Sequence, residues 1–275
     1  MQIPKHALTH AGTFHADDVF SAALLKIVRP DVEISRAYTV PPDFDGLVFD
    51  VGFGAFDHHQ KKAPVRPNGV PYAAFGLLWR ALGTGLIGEK EAQRFDESFV
   101  QPIDLDDNTG CGNQLSVVIA AYNPWWDGGE SPDECFARAV ALAKDMLERK
   151  LETIRSVQRA AREVTAALEG MQRRIVRLKR FAPWKQQLIP SKARFVVYPS
   201  PRGGWAAQTV PAAFGSPAPK TPFPEEWAGA DAADLPAISG IETLRFCHTG
   251  RFIISTGTEE DAVAACEAAM DAARR

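Results

Sequence analysis

Apolar positions along the chain follow two rhythms, and the change from one to the other marks out its elements. Val19-Phe20-Ser21-Ala22-Ala23-Leu24-Leu25-Lys26-Ile27-Val28 reads as a helix closed by Pro30. Residues 32–40 alternate partly and are rich in β-branched side chains, which predicts a strand running into Pro41-Pro42. Gly46-Leu47-Val48-Phe49-Asp50-Val51-Gly52 predicts a buried strand with Asp50 at its end. Helices are expected over 71–82 and 89–100. Strands and helices that alternate in this way predict an α/β domain with a mainly parallel sheet. In such sheets ligands collect beyond the carboxyl ends of the strands.

A different pattern begins at Ser131-Pro132-Asp133-Glu134, where a serine cap, a first-turn proline and two acids announce a helix. Phe136, Val140, Ala143, Leu147, Lys150, Ile154, Val157, Ala161, Val164, Leu168 and Met171 then follow in steps of four and three. Only Lys150 interrupts the apolar seam. The pattern predicts one helix of about 35 residues, roughly 50 Å long. So long a helix is expected to connect two domains, to meet a second copy of the chain in a homodimer, or to do both. Beyond it, strands are expected over 195–199, after the glycine turn at 202–204, and on either side of 249–251, with a closing helix over 259–273. The expected organisation is a metal-binding domain over 1–130, a connecting helix over 131–175 and a smaller α/β domain over 176–275.

Composition narrows the class. The chain has 275 residues, 45% hydrophobic and 24% charged, as in an ordinary globular protein. Its formal net charge of -3 argues against a protein that coats duplexes non-specifically. One segment runs the other way: Arg173, Arg174, Arg177, Lys179, Arg180, Lys185, Lys192 and Arg194 are overtly basic. Cys111, Cys135, Cys247 and Cys266 form no CxxC pair, so neither a disulfide framework nor a thiolate zinc site is expected. With no signal-peptide pattern and no membrane-length apolar run, a cytoplasmic protein without membrane association is expected.

The chemistry lies in two histidine clusters. His10-Ala11-Gly12-Thr13-Phe14-His15-Ala16-Asp17-Asp18 follows a short strand, and Asp57-His58-His59 comes seven residues after Asp50. Asp104-Leu105-Asp106-Asp107-Asn108 adds an acidic knot in which either Asp104 or Asp107 can close a ligand set. Imidazole and carboxylate in this proportion suit manganese, magnesium, zinc or iron(II). So many ligands favour two divalent cations over one, with manganese first because no thiolate takes part. A two-ion site clamps the attacking and leaving oxygens of phosphoryl transfer.

These blocks carry a resemblance. Phe56-Asp57-His58-His59-Gln60, preceded by Val48-Phe49-Asp50-Val51-Gly52, resembles the signature of the DHH phosphoesterase superfamily. Together with residues 9–18, Ile103-Asp104-Leu105-Asp106-Asp107-Asn108 and His248-Thr249-Gly250-Arg251-Phe252, it is similar to the MYG1 family over residues 8 to 255. The resemblance implies a DHH-type domain and a second domain that closes over the metals. It implies His10, His15, Asp17, Asp50, His58 and Asp107 as ligands, with Asp50 bridging the ions and Asp104 as helper to Asp107. It also implies that His59, beside Asp57, stands close to the attacked phosphate. A glycine-rich turn that grips substrate matches Gly203-Gly204 or Gly250-Arg251, with His248 beside the latter.

The expected activity is a two-metal 3′→5′ exonuclease acting on single-stranded RNA or short oligonucleotides. Arg202 or Arg251 would neutralise a phosphate, and Trp184, Trp205 or Phe195 would stack a base. Two other readings stay open: hydrolysis of a small phosphate compound such as pyrophosphate or a dinucleotide, and a non-catalytic, metal-stabilised dimeric scaffold. Protein hydrolysis has no support, because there is neither an HExxH motif nor a serine or cysteine triad pattern.

Overall fold

The computed structural model describes residues 1–274, and the chain divides into two compact units, residues 1–154 and 155–275. The first unit opens with strand β1 (His6–His10) and helix α1 (Ala16–Val28), then β2 (Glu33–Ala37) and β3 (Leu47–Val48). These strands form a parallel sheet in the order β2-β1-β3. The chain is thus mixed α/β with a parallel three-stranded sheet. The strand expected up to Gly52 ends at Val48. Beyond it Asp50 takes a left-handed backbone, φ 58°, and its N–H donates to the Phe56 carbonyl at 2.9 Å.

Four helical segments follow: α2 (Ala74–Ile87), α3 (Glu89–Phe95), α4 (Gln101–Thr109) and α5 (Gln114–Ala120). A π-helical turn at Asp96–Val100 joins α3 to α4, so the helix expected to stop at residue 100 runs on through the acidic knot. Phe20, Phe75 and Phe99 pack together with ring centroids 5.5–6.4 Å apart. Their edge-to-face pairs, Phe20–Phe99 and Phe75–Phe99, add modestly to the area they bury.

Helix α6 (Pro132–Glu169) runs 38 residues, and the division between the units falls inside it. Cys135, Phe136, Ala139, Val140, Ala143, Leu147 and Leu151 belong to the core of the first unit. Ala160 and Val164 belong to a core of the second. The seam read from the sequence is therefore buried within single units at both ends. Lys150, its polar interruption, places its ammonium 4.5 Å from the centre of the Phe99 ring.

The second unit is built on β4 (Ile175–Arg177), β5 (Phe195–Pro199), β6 (Trp205–Thr209), β7 (Phe246–Cys247) and β8 (Ile253–Thr256). Their order is β4-β5-β6-β8-β7, antiparallel except between β4 and β5. Side chains alternate between faces as the pleat requires. Phe195 and Val197 enter one core with helix α9 (Glu259–Ala272). Val196 and Tyr198 enter the other, alongside α7 (Lys185–Leu188). A short helix, α8 (Leu235–Ser239), lies in the proline-dense excursion.

Candidate metal centre

The carboxyl end of β1 delivers His10, and the loop after it turns at Gly12, φ 90°, before entering α1. His10 Nδ1 lies 3.0 Å from the Ala11 carbonyl oxygen. A carbonyl can only accept, so this contact places the ring proton on Nδ1 and leaves the Nε2 lone pair for a ligand. That Nε2 atom is 3.0 Å from Asp18 Oδ2 and 3.3 Å from Asp50 Oδ2. Asp17 and Asp18 open α1, where the helix dipole favours negative charge. Asp18 accepts from the His15 N–H at 3.0 Å, closing the loop onto the helix.

The Asp57-His58-His59 segment comes back to the same point. His58 Nδ1 is 3.4 Å from Asp50 Oδ1, and His58 Nε2 is 3.0 Å from Asp107 Oδ2, carried on α4. His15 Nδ1 stands 4.0 Å from Asp107 Oδ1. Three ligand groups result: His10, Asp18 and Asp50; His15, Asp17 and Asp107; and Asp50, Asp57, His58 and His59. Asp50 belongs to two of them. Together with Thr13, Val51, Gly52 and Phe53, most of these side chains line one cavity of about 430 Å³.

The donor set fits cations. Asp17 Oδ1, Asp50 Oδ1 and His58 Nδ1 are buried without a hydrogen-bond partner, an arrangement too costly to leave uncompensated in a folded interior. Burial, reinforced by Asp50, Asp107 and Asp18, holds the Asp17 carboxyl well above the usual carboxylate range. Burial works against a charged His10, yet Asp18 and Asp50 outweigh it and push the imidazole up to about 10. His58 is raised in the same way, with Asp107 and Asp50 overcoming its burial. The pocket is short of positive charge, which a divalent ion would supply.

Asp57 and His59 play a different part. Asp57 Oδ2 accepts from the Phe53 N–H at 2.6 Å, and Oδ1 accepts from the His59 N–H at 3.0 Å. His59 Nδ1 also lies 2.7 Å from Oδ1. Burial would raise the Asp57 carboxyl, but the bonds from His59 and Phe53 hold it below its ordinary range. The His59 ring stacks on His58 at 4.2 Å and stays more than half exposed at the cavity wall.

Asp104 does not reach the cavity. It lies on α4 facing α2, where Oδ2 accepts from Arg66 Nη2 at 2.7 Å and Oδ1 from the Gly76 N–H at 3.0 Å. Arg66 also grips Asp96 bidentately, at 2.7 and 2.9 Å. A Cβ at Gly76 would stand 1.8 Å from Asp104 Oδ2, so glycine is required there. The acid expected to help Asp107 is instead half of a buried ion pair. Asp18, not expected among the ligands, is the acid beside His10. The reciprocal spacing from His15 to Asp18 at the helix start was the available signal.

In the second unit, Arg202, Gly203 and His248 line a cavity of about 670 Å³ with Phe181, Tyr198 and Arg245. Gly204 lies in the turn from β5 to β6, where a Cβ would meet the Thr256 carbonyl at 2.2 Å. Gly250 and Arg251 shape the turn from β7 to β8. Gly250 donates its N–H to His248 Nδ1, and Arg251 pairs with Glu225 at 3.4 Å. Gly204, Gly250 and Arg251 are not among the residues lining the cavity. Trp184 and Phe195, expected to stack a base, are buried core residues, and Trp205 is half-buried. Part of the basic segment is paired internally, Arg173 with Glu267 and Arg180 with Glu163.

No solved structure matches the chain significantly. Relatives are nonetheless plain. A "MYG1 protein" of Chlamydia trachomatis is 29% identical, the match covering 98% of this chain and 97% of that protein. The human "MYG1 exonuclease" is 28% identical over 98% of this chain and 87% of its own length. A "MYG1 protein" of Dictyostelium discoideum is 26% identical, with 93% of each covered. The model of the MYG1 exonuclease family, described as "Uncharacterised protein family (UPF0160)", matches residues 6–270, so the chain belongs to that family.

Proposed function

We propose that the protein is a divalent-metal-dependent phosphodiesterase that removes nucleotides from the 3′ end of single-stranded RNA or short oligonucleotides. One observation carries this reading: buried, donor-less oxygens of Asp17 and Asp50 stand in ligand groups with His15 and Asp107 for Asp17, and with His10 and His58 for Asp50. The exonuclease name of the human relative supports the choice of a nucleic-acid substrate. His10, His15, Asp17, Asp50, His58 and Asp107 would hold two cations in a DHH-type domain, with Asp18, beside His10 Nε2, as a further candidate ligand. Manganese comes first because the ligands are imidazole and carboxylate without thiolate. When bound, the ions would polarise the phosphodiester and draw the attacking water into line.

The chain's own residues do the rest. Asp50 reaches both His10 and His58, so it sets the spacing of the two halves of the site. Asp57 is a positioning residue: it accepts from His59 Nδ1 and fixes the ring, whose protonated form would donate from Nε2 to the phosphate as negative charge builds up. In the second unit, Arg202 and His248 would grip the substrate strand.

The test is incubation with manganese and end-labelled single-stranded RNA, single-stranded DNA, a dinucleotide and pyrophosphate, with products read by mass. Nucleoside monophosphates released stepwise from the 3′ end of RNA are expected. Hydrolysis of pyrophosphate or the dinucleotide alone would replace this reading with the small-substrate one. No hydrolysis of any of them would leave the scaffold.

A further inference from the structure

Phe53 sits in the metal cavity in a way that its role in folding does not explain. It lies among the cavity-lining residues, yet it is 70% exposed and absent from every hydrophobic core. Its backbone is left-handed, φ 58°, a conformation that bulky side chains rarely adopt and that carries strain. The protein thus accepts backbone strain and gives up apolar burial at the same residue. The strain is held in place, because the Phe53 N–H donates to Asp57 Oδ2 at 2.6 Å. The other oxygen of that carboxylate holds both the N–H and the ring of His59. One buried acid therefore fixes an exposed aromatic ring and a polar imidazole side by side at the wall of the metal cavity.

A nucleotide presents the matching pair, a flat base and a phosphate. From this geometry we infer that Phe53 is a specificity-determining residue that stacks the base of the nucleotide whose phosphate lies at His59. Asp57 sets the span between the two. The inference rests on the proposed phosphodiesterase activity and deepens it: the site selects a nucleoside-bearing phosphodiester over a bare phosphate compound. Stacking tolerates every base, so the selection is for the presence of a base and not for its identity.

The experiment pairs a single-stranded oligonucleotide with the same strand lacking its terminal base, using the full chain with manganese. Wild type is expected to favour the complete strand about 5- to 150-fold in kcat/KM, the range that base–aromatic stacking spans. In Phe53→Ala that ratio falls toward one, and in Phe53→Tyr it returns. A merely structural role would slow both strands by one factor and leave the ratio unchanged, which overturns the inference. A wild-type ratio of one overturns it as well, while leaving the phosphodiesterase reading intact. If neither strand is cut, that reading fails and the inference falls with it. A terminal 2-aminopurine gives a second readout: its fluorescence is quenched on binding to wild type and markedly less on binding to Phe53→Ala. Equal quenching by the two proteins also overturns the inference.

Discussion

Two clusters of buried acids lie within one unit, and they are solved in opposite ways. Around Asp104 both carboxylate oxygens find donors within the chain, although burial outweighs them and pushes the carboxyl up to about 7. Arg66 supplies the charge, the Gly76 N–H takes the second oxygen, and Asp96 completes the guanidinium. Arg66 is also capped by the Tyr72 ring, 3.8 Å away. Around Asp50 and Asp17, no arginine or lysine lines the cavity among the described residues, oxygens lack donors, and the histidines are pushed toward the cationic form. A fold that can close an acidic cluster so fully at Asp104 leaves the other open. The difference marks Asp50 and Asp17 as places for something that comes from outside the chain.

The sharpest break of this comparison is Asp50→Ala. It should cut manganese-dependent hydrolysis by more than the roughly 100-fold typical of losing an outer-shell partner, and far-ultraviolet circular dichroism should show the protein still folded. Wild-type turnover would sink the assignment. Asp104→Ala should do the reverse: it strands Arg66 in the interior and should lower stability by about 3 kcal/mol, near the bottom of the range for a broken buried pair because Asp96 remains. Urea unfolding reads that loss, and isothermal titration with manganese should still detect binding.

Removing cations with a chelator should lower the thermal midpoint, reflecting about 2.7 kcal/mol for an ion present at 100 times its Kd. The drop should vanish in Asp50→Ala, and scanning calorimetry of both proteins checks it. The smallest effect is expected from Gly76→Ala, whose new methyl group presses on Asp104. A loss of about 1–3 kcal/mol is expected, with cation binding preserved. Loss of binding there would mean that the two clusters are not independent.

Much of this contrast was legible in the sequence, and the rest was hidden for physical reasons. His10, Asp50 and His58 could be found because strand ends and short loops bring chemistry to one edge of a parallel sheet. The seam of α6 was legible because its period is that of a helix, and even its flaw at Lys150 has a partner in Phe99. Asp104 and Asp107 were indistinguishable as letters. Three positions along a helix still leave two directions, and only packing against Gly76 and Arg66 separates them. Arg66 itself stands 38 residues from Asp104 with no periodic link between them. That Asp18 joins His10 while Asp17 joins His15 and Asp107 was hidden for a related reason, since one residue along a helix turns a side chain by about 100°. The left-handed backbone at Asp50 and Phe53 was invisible because neither is glycine. The stretch of arginines and lysines looked like a nucleic-acid surface, and partners that cancel part of it, Glu163 and Glu267, lie outside it, 17 and 94 residues from the arginines they meet.

The way α6 is shared carries a consequence for synthesis. Every residue that lines the metal cavity lies before position 110, but the core beneath them is finished by Cys135 through Leu151. On the ribosome, the amino-terminal 130 residues would emerge with an apolar face that nothing yet covers. A chain cut at residue 130 should therefore be sticky and chaperone-dependent, holding all the cavity's lining residues but lacking the part of the core that α6 completes.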